Sequence, residues 1–158
     1  RMKVYYAAPL FSEAEQRYNA YAAQTIRAVS ETIDLYVPQE QTDINDKSKY
    51  ADSVMIAKVD TEKVLESDLM IAVLDGLSID PGVAAEIGIA YAKKIPILAL
   101  YTDVRTQGAD VPEKLKALQV LAESQFSYVN LYVVGLVKEH GAVVSTLEQL
   151  QEEIRKYI

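Results

Sequence analysis

The chain contains no cysteine and only one histidine among its 158 residues. The absence of cysteine excludes disulfides, thiolate catalysis and cysteine-ligated metals. The sequence also lacks zinc motifs and both common glycine-rich phosphate loops, so we expect neither a metal nor a cofactor. No apolar run approaches the length of a membrane span, and no signal-peptide pattern is present. These absences predict a cytoplasmic protein without a membrane partner.

Positive charge is scarce: the chain has 16 Lys and Arg residues but 23 Asp and Glu residues, which gives a formal net charge of −7. This balance disfavours nucleic acid as a partner, and a small neutral or cationic ligand suits it better. Half of the residues are hydrophobic and a quarter are charged, as in soluble globular proteins. At this length we expect one domain covering residues 1–158.

Short apolar segments alternate with helical patterns along the whole chain. Five segments are typical of strands, namely Lys3–Ala7, Ile33–Val37, Leu69–Leu74, Ile95–Tyr101 and Ala142–Val144. Helices are predicted over 13–29, 49–66, 81–94, 112–123, 127–139 and 146–157. This alternation predicts an α/β fold of the doubly wound, flavodoxin- or Rossmann-like type. We expect a five-stranded parallel sheet in the order 2-1-3-4-5, with helices on both faces and a crevice between strands 1 and 3.

Loops at the carboxyl ends of the strands should surround that crevice, where ligands bind in open parallel sheets. They follow strand 1 (residues 7–11), strand 3 (75–80) and strand 4 (102–110). The polar segment 39–48, which has no periodicity, is predicted to be a loop able to cover a site.

Three carboxylates follow the third strand within twelve residues: Asp75, Asp80 and Glu86. Glu86 lies one helical turn after Gly82, which leaves room for a ligand, although the spacing also suits a solvated rim position. Asp80 before Pro81 is equally typical of a helix N-cap. Asp75 before Gly76 suits a turn as well as chemistry.

Three segments together resemble the nucleoside 2-deoxyribosyltransferase family. They are Lys3–Phe11 (KVYYAAPLF), Asp80–Glu86 (DPGVAAE) and Val129–Leu131 (VNL). In that family a glutamate attacks the anomeric carbon of a 2′-deoxynucleoside, the base departs, and a second base takes the sugar from the enzyme. The resemblance therefore implies a retaining double displacement, without cofactor, in nucleotide salvage.

The same resemblance assigns roles to individual residues. Glu86 resembles the nucleophile, Asp60 the residue that contacts the base and assists its protonation, and Tyr5 the tyrosine that orients the nucleophile. Asp80, with Gly82, Asp75 and Phe11, would bind the substrate. Asn130 and Tyr132 resemble residues that complete the site of a neighbouring subunit, which implies a homo-oligomer.

The sequence leaves several readings open. A related family hydrolyses 2′-deoxynucleoside 5′-monophosphates, but segment 8–12 supplies only one hydroxyl for a phosphate. A receiver-like signalling module would need paired acidic residues after strand 1, where the chain has Ala8 and Pro9. Arg105 suits a loop salt bridge or a ligand contact, and His140 suits a helix end. Ala85 replaces the aromatic residue that often precedes the family's glutamate, and the range of accepted bases stays open.

Overall fold

The computed structural model describes residues 1–41, 50–106, 111–123 and 126–158. Within these ranges five strands form one sheet: Met2–Ala7 (β1), Ile33–Tyr36 (β2), Leu69–Val73 (β3), Ile97–Leu100 (β4) and Ala142–Val144 (β5). The strands pair in parallel in the order β2-β1-β3-β4-β5. The predicted doubly wound α/β fold and its strand order are therefore confirmed.

Six α-helices lie within the described ranges, namely Glu13–Arg27 (α1), Ser53–Leu65 (α2), Pro81–Ala92 (α3), Pro112–Ala117 (α4), Leu131–His140 (α5) and Leu147–Arg155 (α6). Two short 3-10 helices, Pro38–Glu40 and Val104–Thr106, follow β2 and β4. None of the helices in these ranges combines the length and apolar character needed to cross a bilayer.

The hydrophobic core lies in two layers, one on each face of the sheet. One layer joins the sheet to α1 and α6, through residues such as Ala22, Ile26, Leu150 and Ile154. The other joins it to α2, α3 and α5. Every residue of β3 is buried because helices cover both faces of this central strand, as its unbroken apolar sequence predicts.

Three predicted helices start or end several residues inside their predicted bounds. The helix predicted over 49–66 spans Ser53–Leu65, because the Asp52 side chain caps its start. The helix predicted over 127–139 begins only at Leu131, because the Asn130 side chain accepts a hydrogen bond from the Val133 amide at 3.1 Å and caps it. The helix predicted over 112–123 ends at Ala117. Its apolar side chains Leu115 and Leu118 are exposed, so little burial supports a longer helix.

The loop predicted over 39–48 lies outside the described residues from position 42 onward, as do positions 107–110 of the loop after β4. The carboxyl ends of β1, β2 and β3 lie side by side at one edge of the sheet. There the loops after these strands meet the first turns of α1, α2 and α3, so side chains from distant parts of the chain share one edge.

Candidate active site

Helix α3 carries Glu86 into the site. Asp80 caps this helix through its Oδ2, which accepts a hydrogen bond from the Val83 amide at 3.1 Å, and Pro81 occupies the first turn. Proline suits this position because its missing amide hydrogen would have no partner there. The predicted N-cap is therefore present. Gly82 follows, and Glu86 lies one turn further on the same side of the helix.

The carboxylate of Glu86 meets the hydroxyl of Tyr5, which donates a hydrogen bond to Oε2. The two residues are 81 positions apart in the chain. Tyr5 lies in β1 and is fully buried, because β1 is covered by helices on both faces. A buried strand thus presents one hydrogen-bond donor to the Glu86 carboxylate.

Burial raises the pKa of Glu86 to about 7, well above its ordinary value of 4.5. The hydrogen bond from Tyr5 lowers the pKa, whereas the nearby negative charges of Asp60 and Asp80 raise it. Burial also raises the pKa of Asp60, in the middle of α2. Two carboxyl groups with raised pKa values, next to a third carboxyl group in the same cleft, are typical of acid–base or nucleophilic sites.

These carboxyl groups face a cavity of about 430 Å³ between α2, α3 and the loop after β1. Its lining residues are Ala8, Leu10, Phe11, Pro38, Ile56, Ala57, Asp60, Thr61, Asp80, Gly82, Ala85, Glu86 and Ile89. The volume is in the usual range for small-molecule sites, about 300–1,000 Å³. The lining combines apolar side chains with three carboxylates, which suits a flat heterocycle joined to a polar group.

Phe11 lies at the mouth of this cavity and is 81% exposed. Its ring is therefore available to a ligand at the entrance. Gly82 also lines the cavity, and a Cβ at this position would stand 3.1 Å from Oδ2 of Asp80. A larger residue at this position would crowd the carboxylate and reduce the space above it.

Asp75 lies apart from the other carboxylates. Its Oδ1 accepts a hydrogen bond from the Thr102 amide at 2.7 Å, and its Oδ2 accepts one from the Thr102 hydroxyl at 2.6 Å. It faces a second cavity of about 280 Å³, beside Tyr18 and Asn19 of α1. In this structure Asp75 ties the loop after β3 to the loop after β4.

Asn130 and Tyr132 also lie apart from the Glu86 cavity of their own chain. Asn130 caps α5, and Tyr132 in the first turn of that helix is 76% exposed. Neither residue is among the described residues that line the cavity. The structure places them on the surface, where a second molecule has access to them.

The model of one protein family, described as nucleoside 2-deoxyribosyltransferase, matches residues 4–144. The match contains all the residues that form the cavity. The chain belongs to this family. The resemblance in the three sequence segments is thereby confirmed at the level of the family, whose members are enzymes of glycosyl transfer from nucleosides.

Several solved structures are similar to this chain. A conserved protein from Enterococcus faecalis V583 is 61% identical, with a TM-score of 0.95 and 99% of each chain covered. A 2-deoxyribosyltransferase from Bacillus psychrosaccharolyticus is 16% identical, with a TM-score of 0.61, covering 94% of this chain and 90% of the other. The Clostridium botulinum CMP N-glycosidase BcmB is 17% identical, with a TM-score of 0.51 and 99% of each chain covered. The last two share the fold. No curated protein matches the chain.

Sequence reasoning did not single out Tyr36. This residue ends β2, and its ring stacks on Tyr5 with centroids 5.5 Å apart and 23° between the planes. Burial, with the charges of Asp60 and Glu86, raises the pKa of Tyr36 to about 12. Judged by helical and strand periodicity, Tyr36 is an ordinary core residue. Its pairing with Tyr5 in the register of two parallel strands is the signal that identifies it.

The remaining candidates have structural partners. Arg105 pairs with Asp103 at 2.6 Å and, by its hydrogen bonds and then its charge, holds the pKa of that carboxyl at about 2. His140 ends α5 and stacks on Tyr91 at 6.0 Å. Across the described part of the chain, no group of three or more His, Asp or Glu side chains is arranged to hold a metal ion.

Proposed function

We propose that the protein transfers a 2-deoxyribosyl group between purine or pyrimidine bases, through a covalent intermediate on Glu86. The observation that carries this proposal is the Glu86 carboxylate itself. It is oriented by Tyr5, its pKa is raised to about 7, and it faces a cavity that Asp60 and Asp80 also line. A carboxylate below a sugar ring stabilises oxocarbenium character and then forms a bond to the anomeric carbon.

In the first step, an ionised Glu86 oxygen attacks the anomeric carbon while the bond from that carbon to the base nitrogen breaks. The electron pair of that bond leaves with the base. Asp60, whose pKa is raised by burial, delivers a proton to the departing base and so neutralises it. Tyr5 keeps its hydrogen bond to Oε2 and leaves the other oxygen of Glu86 free to react.

In the second step, a nitrogen of the acceptor base attacks the same carbon and displaces Glu86. The acceptor's proton returns to Asp60, and both carboxyl groups regain their initial states. Two successive displacements at one carbon retain its configuration. Exclusion of water between the steps decides between transfer and hydrolysis, and the apolar side chains of Ile56, Ala57 and Ile89 in the cavity lining favour the flat base over water.

Asp80 and Gly82 would hold the sugar. Oδ2 of Asp80 is engaged in the helix cap, and Oδ1 forms no hydrogen bond with the described residues, so it can accept one from a sugar hydroxyl. Gly82 keeps the space above this carboxylate open. Phe11 at the mouth would pack against the base. These three residues support substrate binding, whereas Asp75 contributes by holding two loops together.

The second candidate is hydrolysis of deoxynucleoside 5′-monophosphates, because the fold is shared with a CMP N-glycosidase. A phosphate calls for cationic or multiple donor groups. Among the described residues that line the Glu86 cavity there is neither Lys nor Arg, and three are acidic. This charge distribution favours an uncharged nucleoside over a monophosphate.

Base exchange followed by chromatography tests the proposal. The protein is incubated with thymidine or deoxyinosine and free adenine, without added metal, and deoxyadenosine is the expected product. Parallel reactions contain the corresponding 5′-monophosphates. Formation of free base and deoxyribose phosphate from the monophosphates alone would assign the hydrolase instead, and no turnover of any donor would reject both.

We also propose that the active form is a homo-oligomer in which Asn130 and Tyr132 complete a neighbour's site. Their exposure at the start of α5 supports this arrangement. Mixing two inactive variants, Glu86→Ala and Asn130→Ala, should restore part of the activity, because some mixed sites then contain both wild-type groups. A monomer by sedimentation, or no recovery after mixing and subunit exchange, would contradict it.

A further inference from the structure

A row of side chains crosses the sheet beneath the nucleophile. Tyr36 of β2, Tyr5 of β1 and Met70 of β3 are register partners, so they point to the same face. Tyr5 and Met70 are fully buried, and Tyr36 is partly buried. Because β2 is the edge strand of the sheet, Tyr36 is the outermost member of this row.

Tyr36 is held between two neighbours. Its ring stacks on Tyr5 at 5.5 Å, and the Nζ atom of Lys63 in α2 lies 5.6 Å from its centroid. A cation over an aromatic ring is attracted by the negative face of the ring. Lys63 also pairs with Glu66 at 3.6 Å, which anchors the cation on α2. The Tyr36 ring therefore has a defined place against Tyr5.

We propose that Tyr36 is a positioning residue, whose ring holds the Tyr5 hydroxyl on the carboxylate of Glu86. Tyr36 is not one of the described residues that line the Glu86 cavity, so it acts through Tyr5 rather than on the substrate. The place of a phenol oxygen is set by where its ring lies, and the flat stack restricts that ring on its edge-strand side. Only the catalytic readout of this inference rests on the proposed function.

The charged and titratable groups around Glu86 determine whether replacing Tyr36 raises or lowers the pKa of Glu86. They come from four elements: Tyr5 from β1, Tyr36 from β2, Asp60 from α2, and Asp80 at the start of α3. Among them, only the hydrogen bond from Tyr5 lowers the pKa of Glu86. Loss of the stack should therefore weaken that bond and raise the pKa. If water simply entered the site, the burial of Glu86 would decrease and its pKa would fall.

A carbon NMR titration of the substrate-free protein tests this inference. The glutamate side-chain carboxyl carbons are labelled, and the Glu86 signal is assigned by its loss in Glu86→Gln. Tyr36→Leu should raise the pKa of Glu86 by about half a unit. Tyr36→Phe keeps the ring and should restore the wild-type value. Tyr36→Val, which suits a strand, takes the place of Tyr36→Leu should that variant not fold.

The decisive comparison uses Tyr5→Phe, which already lacks the hydroxyl. Adding Tyr36→Leu to it should leave the pKa of Glu86 unchanged, because Tyr36 acts through that hydroxyl. Transfer assays should show kcat lowered about threefold to tenfold by Tyr36→Leu, with little change in KM. Tyr21→Leu, on the exposed side of α1, is the control and should change neither quantity.

An unchanged or lowered pKa in Tyr36→Leu, or an equal shift in the Tyr5→Phe background, would overturn the inference. Should the wild-type protein transfer no deoxyribosyl group, the proposed function fails, and the titration still decides the role of Tyr36.

Discussion

Tyr5 and Tyr6 are consecutive residues of β1 with the same side chain, and they do different things. Both are buried to within 1% of complete exclusion from solvent, and burial is the main cause that raises the pKa of each hydroxyl. Their side chains enter opposite layers of the core because successive residues of a strand alternate. The difference between them is therefore a difference between the two faces of the sheet.

On the α1 face, Tyr6 donates to Oδ1 of Asn19 at 2.9 Å. Asn19 is buried, and its amide nitrogen donates to the Pro9 carbonyl at 2.8 Å and to Oε1 of Gln39 at 2.9 Å. Every partner in this network is neutral, and each has its hydrogen bonds satisfied. Such a network stabilises the loop after β1 and has no group that changes charge near neutral pH.

On the α3 face, Tyr5 donates to Glu86, a group that titrates near neutral pH and opens onto a cavity. We infer from this comparison that the acceptor decides the role of a buried tyrosine. A neutral, fully bonded acceptor makes a structural contact, whereas a carboxylate with a raised pKa beside a cavity is typical of functional sites. Four predictions test this distinction, beginning with the largest effect.

Replacement of the acceptor should have the greatest consequence. Glu86→Gln keeps the shape of the side chain but removes the nucleophile, so base exchange should fall by about 10³-fold or more. Circular dichroism should show an unchanged fold. The matched control is Glu139→Gln, because exposed Glu139 also accepts a hydrogen bond from a tyrosine, Tyr91. Equal activity of the two variants would remove Glu86 from the mechanism.

Removal of each hydroxyl in turn should separate catalysis from stability. Tyr5→Phe should lower kcat by about 10- to 100-fold, because the carboxylate loses the donor that orients it. Tyr6→Phe should leave kcat near the wild-type value but lower the free energy of unfolding by about 1–3 kcal/mol, because buried Asn19 loses a donor. Assays and urea unfolding of both variants measure this. The distinction fails if the two variants show the same pattern.

The pH dependence of stability should reflect the raised pKa of the Glu86 carboxylate. The pKa of Glu86 is about 7 in the folded protein against an ordinary 4.5, so the folded state holds the proton more tightly. Its contribution to stability is complete below pH 4.5 and is lost as the pH rises through about 7. The shift sets an upper bound of about 3 kcal/mol, which solvent access to the carboxylate reduces.

Glu86→Gln should therefore be more stable than the wild type at about pH 8, and this advantage should disappear at about pH 4. Denaturant unfolding at several pH values measures the difference. The raised pKa of Asp60 adds a slope of the same sign that Glu86→Gln retains. Parallel profiles for the two proteins would show that Glu86 titrates as an ordinary surface glutamate. The acid limb of kcat/KM should also lie near pH 7.

The smallest effect concerns a residue with both kinds of role. Asp80→Asn keeps an N-cap of equal quality, so stability should change by no more than about 0.5 kcal/mol. If Oδ1 accepts from the sugar, KM should rise several-fold. Asp52→Asn is the control, because Asp52 caps α2 through the Met55 amide at 2.8 Å and does not line the Glu86 cavity. An unchanged KM would show that Asp80 only caps the helix and does not bind the sugar.

Much of the fold was predictable from local patterns. Unbroken apolar segments indicated the buried strands β1, β3 and β4, and Asp80 with Pro81 indicated the start of α3. The start of α5 was predicted too early, because apolar periodicity continues through residues that precede the Asn130 cap. The family resemblance supplied Tyr5 and Asp60, whereas Tyr36 was missed because its periodicity is that of an ordinary core residue.

The sequence by itself determined the alternation of strands and helices, the strand order, and the spacing of Asp80, Gly82 and Glu86 on one helix. The alternation and the spacing depend on local backbone periodicity, and the strand order was inferred from the doubly wound class that this alternation indicates. Only the tertiary structure decided that Tyr5 meets Glu86, that Tyr36 stacks behind it, and that Asp75 faces a separate cavity. Burial and distance between segments far apart in the chain set these contacts and the raised pKa of Glu86, and neither quantity is encoded in any local stretch of sequence.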